Sequence, residues 1–574
     1  MKYCAYDIET RNLRPGTKDA RIWIAGIKTQ DSSKPLVVHN KNGLKTLPKQ
    51  IAGPLEDENI CTIIHNSEFD GPYTTLNLNG IRIRNIWDTR LMEILIQGFN
   101  VPRNSKDEKL KAKHGTSLKH TLARYHLNGK MDKTVRENFI NRPDGKPITK
   151  QELDYWFSDV DKLIELQRAQ EFILTRDGMM ELALLENKVA ERVIDMKVNG
   201  LRMDPKIWKA IITSNKKRMM EILRKLPSDV HNWNSPAQVK KYFFNKGILI
   251  NSFDELEKVA KKANNPTLNL FIEYRNLFTQ TSKYGEQWLE FIDDDGRIRC
   301  SFEQIVDTGR FSVSDPPIHG LPKEGLQRSA FIPDKGKVFV VGDYSGQEIG
   351  IMAAAAGEKI WIDALLRRDD VHALTASIIY KNEWHRGTEK GCTFPKKCKC
   401  AAHLKYRERA KTLNYMLAYG GGAEKFMNAV GCTLDEAKVT IYKHRNAVSK
   451  VTRMLVRNSK NALATGVSYS ADPYARRRVL NFNHEEWHIK NQGKNHPIQS
   501  AGANMVKLAM ISLPKNAPLV FVWHDEIILE CRKNEAQKWV KILKDIMAQS
   551  ADYITGIKGL IEVEPKVKLN LMKG

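Results

Sequence analysis

Val338-Phe339-Val340-Val341-Gly342 runs without a break into Asp343-Tyr344-Ser345-Gly346-Gln347-Glu348. Far down the chain, Leu519-Val520-Phe521-Val522-Trp523 runs into His524-Asp525-Glu526. Short apolar runs of this kind read as buried strands. A buried strand that ends in carboxylates is costly unless something cationic sits there, and a divalent metal is the usual answer. Two such strands lying side by side would gather Asp343 and Asp525 around a pair of Mg²⁺ ions, an arrangement that suits in-line phosphoryl transfer with metals about 3.5–4 Å apart. Asp525 and Glu526 are adjacent and would face opposite ways on a flat strand. A tight turn is therefore expected, with Glu526 as a secondary ligand or a group just behind the ligands.

Between these runs lies Tyr406–Tyr419, YRERAKTLNYMLAY, which reads as one helix. Arg407, Lys411, Tyr415 and Tyr419 recur every four residues, so they form one stripe along it. Two cations followed by two aromatics suit a triphosphate at one end and a base or sugar at the other. An ordinary amphipathic helix with a wet basic face is the alternative. Against it, the tyrosines continue the cationic row up to a Gly420-Gly421-Gly422 stop.

The N-terminal third carries a second acidic constellation. Tyr3–Thr10 (YCAYDIET) alternates like a strand, which puts Asp7 and Glu9 on one face. His65-Asn66-Ser67-Glu68-Phe69-Asp70 follows the apolar Cys61–Ile64, and Asp88 lies in IWDTRLMEIL. Tyr155 and Asp159 are spaced i, i+4 and share a helix face. Asp7, Glu9, Asp70 and Asp159 could hold two metals, with Tyr155 orienting a water for hydrolysis. Each motif alone recurs by chance; their order and spacing carry the reading. Glu181–Asn199 is a strong helical period ended by Gly200, which puts a domain boundary near residue 180. Asn215–Lys225 and Asp254–Lys283 read as helices whose cations are either solvated faces or a grip on a duplex backbone.

Bulk properties set the context. At 574 residues the chain should form more than one domain. It carries 92 Lys+Arg against 67 Asp+Glu, a formal charge of +25, which suits a polyanionic partner or a merely soluble basic protein. No apolar run approaches the ~20 residues that span a bilayer, so no membrane association is expected. The N-terminus enters a strand rather than a signal-peptide core. The 8 cysteines are too few for a disulfide scaffold, so a cytoplasmic location is expected, in a host cell if the chain is phage-encoded.

The motifs together resemble known families. Asp7 and Glu9, then Asn66, Phe69 and Asp70, then Tyr155 and Asp159 resemble the three motifs of DEDD-type 3′→5′ proofreading exonucleases of the Tyr-containing subclass. Asp343-Tyr344-Ser345…Glu348 resembles motif A of the family A DNA polymerases, Arg407…Lys411…Tyr415…Tyr419-Gly420 motif B, and Val522…His524-Asp525-Glu526 motif C. Thr308–Ser312, Arg328–Ile332, Asp370-Val371-His372 and Asn495…Gln499 are similar to further family stretches in the right order. The whole chain resembles the Klenow-like exonuclease–polymerase portion of bacterial DNA polymerase I. With no room for a separate 5′-nuclease domain, it is expected to be a bacteriophage replicative enzyme. The implied fold is α/β and α+β multidomain: a ribonuclease-H-like exonuclease domain over 1–180, then a right-hand polymerase over 181–574. The thumb is expected at about 181–296, the palm at about 297–354 and 491–574, and the fingers at about 355–490.

The resemblance implies template-directed DNA synthesis from a primer 3′-OH with dNTPs, with 3′→5′ proofreading. Asp343 and Asp525 would ligate two Mg²⁺ ions, with Mn²⁺ as a possible substitute, and Asp7, Glu9, Asp70 and Asp159 would hold the exonuclease metals. Arg407, Lys411 and His372 would hold the incoming triphosphate, Tyr415 and Tyr419 its sugar and base, and Glu348 would exclude a ribose 2′-OH. Arg310, Arg328, Asn495, Gln499 and His524 would contact primer–template DNA. Processivity factor, helicase and primase partners are not specified.

Motif A reads DYSGQEIG where the familiar form is DYSQIELR, so Gly346 stands in place of Gln and Gly350 in place of Arg. Cys392, Cys398 and Cys400, with His403 or His385, lie in a Lys-rich stretch that looks longer than the family usually carries; structural zinc and free surface thiols are both open there. Competing readings are a single-subunit RNA polymerase, a repair polymerase of the same fold, a non-catalytic DNA-binding module, and a nuclease with a scaffold polymerase half.

Overall fold

The computed structural model describes residues 2–98, 108–127, 134–253, 256–322, 325–481 and 483–572. The chain groups into two compact units. One comprises Met1–Gly200, Arg299–Asp315 and Lys335–Lys568; the other comprises Leu201–Ile298, Pro316–Asp334 and Leu569–Gly574.

The first unit holds two mixed α/β layers. The N-terminal sheet has strands β1 (Lys2–Thr10), β2 (Ile22–Thr29), β3 (Leu36–His39), β4 (Ile60–Ile64) and β5 (Ile86–Asp88) in the order β3-β2-β1-β4-β5. β1 pairs antiparallel with β2 and parallel with β4, and β4 pairs parallel with β5, so the central strand β1 is where the pairing sense changes. This is the ribonuclease-H-like arrangement expected from sequence. The Lys150–Val160 helix starts with a Thr149–Glu152 capping box, and its Trp156 Nε1 donates to the carbonyl of Asp7 at 3.1 Å.

The second sheet of this unit is built on Lys337–Ser345. Its order is Leu519–Trp523, Glu526–Arg532, Lys337–Ser345, Glu562–Val563. The two acid-terminated runs, expected to lie side by side, are therefore separated by a strand. The chain reverses tightly after Trp523 and returns as Glu526–Arg532, which takes the place beside Lys337–Ser345 because it satisfies both ladders at once. Asp343 also lies within its strand rather than beyond its end.

The helix expected at 406–419 spans Ala401–Met416, so Tyr419 lies past its last turn, where its N–H still reaches the Tyr415 carbonyl at 3.2 Å. Glu181–Asn199 is the Met180–Asn199 helix, stopped at Gly200 as expected.

In the second unit, Asn215–Lys225 is the end of the Pro205–Lys225 helix. The helical stretch expected from Asp254, a residue outside those described, consists of Leu256–Ala263 and Pro266–Lys283. Asn265 caps the second of these, and Pro266 suits only a first turn because it lacks an N–H. Trp233, Phe243, Leu268, Phe271 and Tyr274 form this unit's core.

Two carboxylate-lined candidate active sites

At the first site, β1 presents Asp7 and Glu9 two residues apart. Asp70 comes from the Ser67–Asn77 helix, whose start is fixed by Asp88: its side chain accepts from the Ser67 N–H and hydroxyl, both at 2.7 Å, and from the Asn66 N–H at 3.2 Å. Asp88 is thus a positioning residue. Tyr155 and Asp159 project from the Lys150–Val160 helix into the same cavity of about 390 Å³, where Arg136 is also found. Carboxylate oxygens of Asp7, Glu9 and Asp159 lie within 4.8 Å of one another.

Burial pushes the Asp7, Glu9 and Asp70 carboxyls well above the usual range, and neighbouring acids add to the shift: Asp70 on Asp7, Asp159 on Glu9 and Asp88 on Asp70. Arg136 opposes it at all three. Asp7 Oδ2 is buried with no hydrogen-bond partner among the described residues. An unpartnered buried oxygen among hard carboxylate donors fits a divalent cation. Burial, then Asp159, also pushes the Tyr155 phenol up, so it stays protonated and can donate to a water. Arg136 was not anticipated; nothing in its local sequence distinguishes it from the other exposed-helix arginines.

At the second site, Glu526, not Asp525, is the residue directly across the antiparallel ladder from Asp343. Directly opposed residues share one face of a sheet, so Glu526 accompanies Asp343 while Asp525 sits in the turn beside them. Trp523 pairs with Glu526, which leaves His524 and Asp525 as the turn; His524 adopts φ of 60°. Glu526 is buried and His524 exposed. Asp343 and Glu526 across the ladder, with Asp525 in the adjoining turn, offer oxygen donors of the kind Mg²⁺ or Mn²⁺ prefers.

The cationic stripe meets these acids at its aromatic end. Asp525 and Glu348 both help to raise the Tyr415 phenol, after burial, and the Tyr415 ring lies 5.7 Å from the His372 ring. Glu348 accepts from Tyr419 at 2.5 Å and from Arg310 at 2.8 Å, and Gln499 hydrogen-bonds the same phenol. Lys411 is exposed, whereas Arg407 donates to Asp370 Oδ2 at 2.6 Å, the carboxylate that caps the Val371–Ile379 helix. Burial, then Arg407, brings His372 down to about 4, so it offers a neutral imidazole rather than a charge. Asn414 donates to His372 Nδ1 at 2.9 Å and accepts from His444 Nε2 at 2.7 Å, a relay that no sequence motif announced. Asn495 lies one turn before Gln499 on Glu486–Ser512. Arg328 is buried and belongs to the second compact unit.

Both motif A departures have a local cause. Gly346 precedes the Gln347–Ala356 helix at φ of 65°, a left-handed conformation that glycine adopts without strain. A Cβ on Gly350 would lie 2.5 Å from Ile561 Cγ1, so packing leaves no room there for an arginine.

A mixed α/β sheet bearing one acidic cluster, followed by an antiparallel sheet bearing opposed acids, defines a two-sheet α/β and α+β fold. Residues 207–571 match DNA polymerase family A and residues 1–171 match a 3′-5′ exonuclease domain; the chain belongs to DNA polymerase family A. DNA polymerase I of Lactococcus lactis subsp. lactis (strain IL1403) is 26% identical over 426 residues, which is 68% of this chain and 45% of the relative. DNA polymerase I of Streptococcus pneumoniae serotype 4 is 24% identical over 518 residues, 81% of this chain and 56% of the relative. The chain thus spans about half the length of the curated relatives it matches. The fold is similar to the POL domain of Pol1 from M. smegmatis, solved in complex with DNA primer–template and dNTP, with TM-score 0.78 and 18% identity, covering 99% of this chain and 95% of that one. Among the described residues, no helix is long and apolar enough to cross a membrane.

Proposed function

We propose that the chain extends a primer 3′-OH with dNTPs under template direction and removes mispaired ends at a separate 3′→5′ exonuclease site. The observation that carries this reading is the cluster of Asp7, Glu9 and Asp159 at one sheet and the opposed pair Asp343 and Glu526 on the other, in a member of DNA polymerase family A. The exonuclease domain would span 1–180 and the polymerase domain 181–574, with the thumb at about 181–296, the palm at about 297–354 and 491–574, and the fingers at about 355–490. The 8 cysteines, none of them in a disulfide, fit a reducing cytoplasm.

Asp343, Asp525 and Glu526 would hold Mg²⁺ at the polymerase site, and Asp7, Glu9, Asp70 and Asp159 at the exonuclease site, with Mn²⁺ as a substitute. Such cations, when bound, stabilise the attacking and leaving oxygens of an in-line displacement. Lys411 brings an exposed ammonium to the triphosphate, while Arg407 must share its guanidinium with Asp370. His372, neutral at physiological pH, donates from Nε2, because Asn414 occupies its Nδ1. Tyr415 lies against the sugar, and Glu348, held by Tyr419 and Arg310, closes the space a 2′-OH would need. His524, Asn495, Gln499 and Arg310 contact the primer–template near the growing end, and the +25 charge grips its backbone regardless of sequence. At the exonuclease site, the protonated Tyr155 orients the attacking water by donating to it.

The test is separation of function. Asp343→Ala or Asp525→Ala is expected to abolish primer extension and leave single-strand 3′→5′ degradation intact; Asp7→Ala with Glu9→Ala is expected to do the reverse. Wild-type degradation of mismatched ends by the Asp7/Glu9 double variant would overturn the nuclease assignment.

A further inference from the structure

A second kind of metal-binding chemistry lies away from both acidic sites, in the Lys-rich stretch between the Lys381–Arg386 and Ala401–Met416 helices. Sulfur atoms of Cys392, Cys398 and Cys400 and a ring nitrogen of His403 all lie within 4.8 Å of one another. His403 Nδ1 is 3.2 Å from Cys398 Sγ and 3.6 Å from Cys392 Sγ. Zinc bonds of about 2.0–2.3 Å put the ligand atoms of a tetrahedron roughly 3.3–3.8 Å apart, so these separations already have the spacing of a closed site. His385, the other candidate histidine, is not part of the group.

The surroundings orient each ligand. His403 Nε2 donates to the carbonyl of Trp384 at 2.9 Å, and the imidazole stacks flat on the Trp384 ring at 3.8 Å and 4°. With Nε2 committed as a donor, Nδ1 carries one lone pair, and two sulfurs compete for it. One cation placed among the four would engage that lone pair and all three sulfurs together. This is the outer-shell pattern of ligating histidines, in which the second nitrogen is anchored to a carbonyl. Cys398, Cys400 and His403 are buried, while Lys390, Lys397 and Lys399 are exposed around them and offset the charge of three thiolates.

We propose that Cys392, Cys398, Cys400 and His403 form a structural zinc site. Three thiolates and one imidazole in a closed tetrahedron select zinc over the oxygen-preferring cations of the catalytic sites. The site closes the stretch after Arg386 onto the first turn of the Ala401–Met416 helix, which Cys400 precedes and on which His403 lies. It therefore anchors the N-terminal end of the helix that carries Arg407, Lys411 and Tyr415.

The test uses the full chain purified without chelators. One tightly held zinc per chain is expected by elemental analysis. Exchange for Co²⁺ should give a thiolate-to-cobalt charge-transfer band with the intense visible bands of a tetrahedral centre, which carboxylate sites do not produce. Cys398→Ser should lose the zinc, and removing the metal from the wild type should accelerate hydrogen exchange in 387–405. Absence of the thiolate band in the wild type, zinc retained in full by Cys398→Ser, or a disulfide between any two of these cysteines in the purified chain would overturn the proposal. The cobalt spectrum needs no variant, so a misfolded variant does not blunt the test.

Discussion

The Tyr419 phenol donates to Oε2 of Glu348 at 2.5 Å, while Oε1 of the same carboxylate accepts from Arg310 at 2.8 Å. Both oxygens of the residue expected to exclude ribose are held by groups from outside its own helix. Glu348→Ala is expected to raise rNTP incorporation relative to dNTP. Tyr419→Phe removes only the donor; a hydrogen bond to a charged group is worth about 1.5–3 kcal/mol, so sugar discrimination should fall about tenfold or more. The measurement is the ratio of kcat/KM for dNTP and rNTP. Unchanged discrimination in Glu348→Ala would reopen the RNA-polymerase reading.

Tyr415 stands one turn beyond Lys411, against His372 and within the electrostatic reach of Glu348 and Asp525. Its hydroxyl can supply near C3′ the polar contact that a dideoxynucleotide lacks. The wild type is expected to accept chain terminators readily and Tyr415→Phe to reject them. Equal kcat/KM ratios for ddNTP and dNTP in the two proteins would place the tyrosine elsewhere.

The exonuclease carboxyls couple cation binding to stability. Asp7, Glu9 and Asp70 keep their protons to higher pH in the fold than in the unfolded chain. Without divalent cation the penalty is absent below the ordinary carboxylate range, grows as pH rises, and is complete above the folded values. In chelator, Asp7→Asn should therefore raise the melting temperature at mildly alkaline pH by about 1 °C for each kcal/mol of repulsion relieved, and much less at acidic pH. Scanning calorimetry at both pH values checks the sign; a larger gain in acid would contradict it.

Glu186 is fully buried between two cations. Lys507 Nζ donates to both its oxygens at 2.7 and 3.0 Å, Arg476 donates to one of them, and Gln304 donates to the other at 2.6 Å. One carboxylate shared by two buried cations explains why burial brings Lys507 down to about 7 while Glu186 stays ionised. Glu186→Gln leaves both cations uncompensated and is expected to cost about 3–5 kcal/mol, whereas Lys507→Met removes the excess charge and should cost less. Without the Glu186 carboxylate, Lys507 sheds its proton at lower pH than its wild-type value of about 7, so the Glu186→Gln deficit should shrink as pH rises towards 7 and stay level above it. Denaturant titrations of the two variants decide it; a costlier Lys507→Met would reverse the account.

Sequence by itself determined which residues carry charge and on which face of a local element they stand. Asp7 and Glu9 share a strand face, Tyr155 and Asp159 a helix face, and Arg407, Lys411 and Tyr415 a helical stripe, because periods of 2 and 3.6 are properties of the backbone alone. The family was legible for the same reason: its motifs are short and their order survives in the chain. What stands across from what was not legible. Glu526 rather than Asp525 opposes Asp343 because a two-residue turn folds one strand back between two others, and strand order is set by burial of whole sheet faces. The Thr433-capped helix that brings His444 to Asn414, the convergence of Arg476, Lys507 and Gln304 on Glu186, and the choice of His403 over His385 beside three cysteines likewise join residues distant in the chain. Such contacts depend on which apolar faces pack together, and only the tertiary structure decides that, because burial gains are collective and no local pattern encodes the partner.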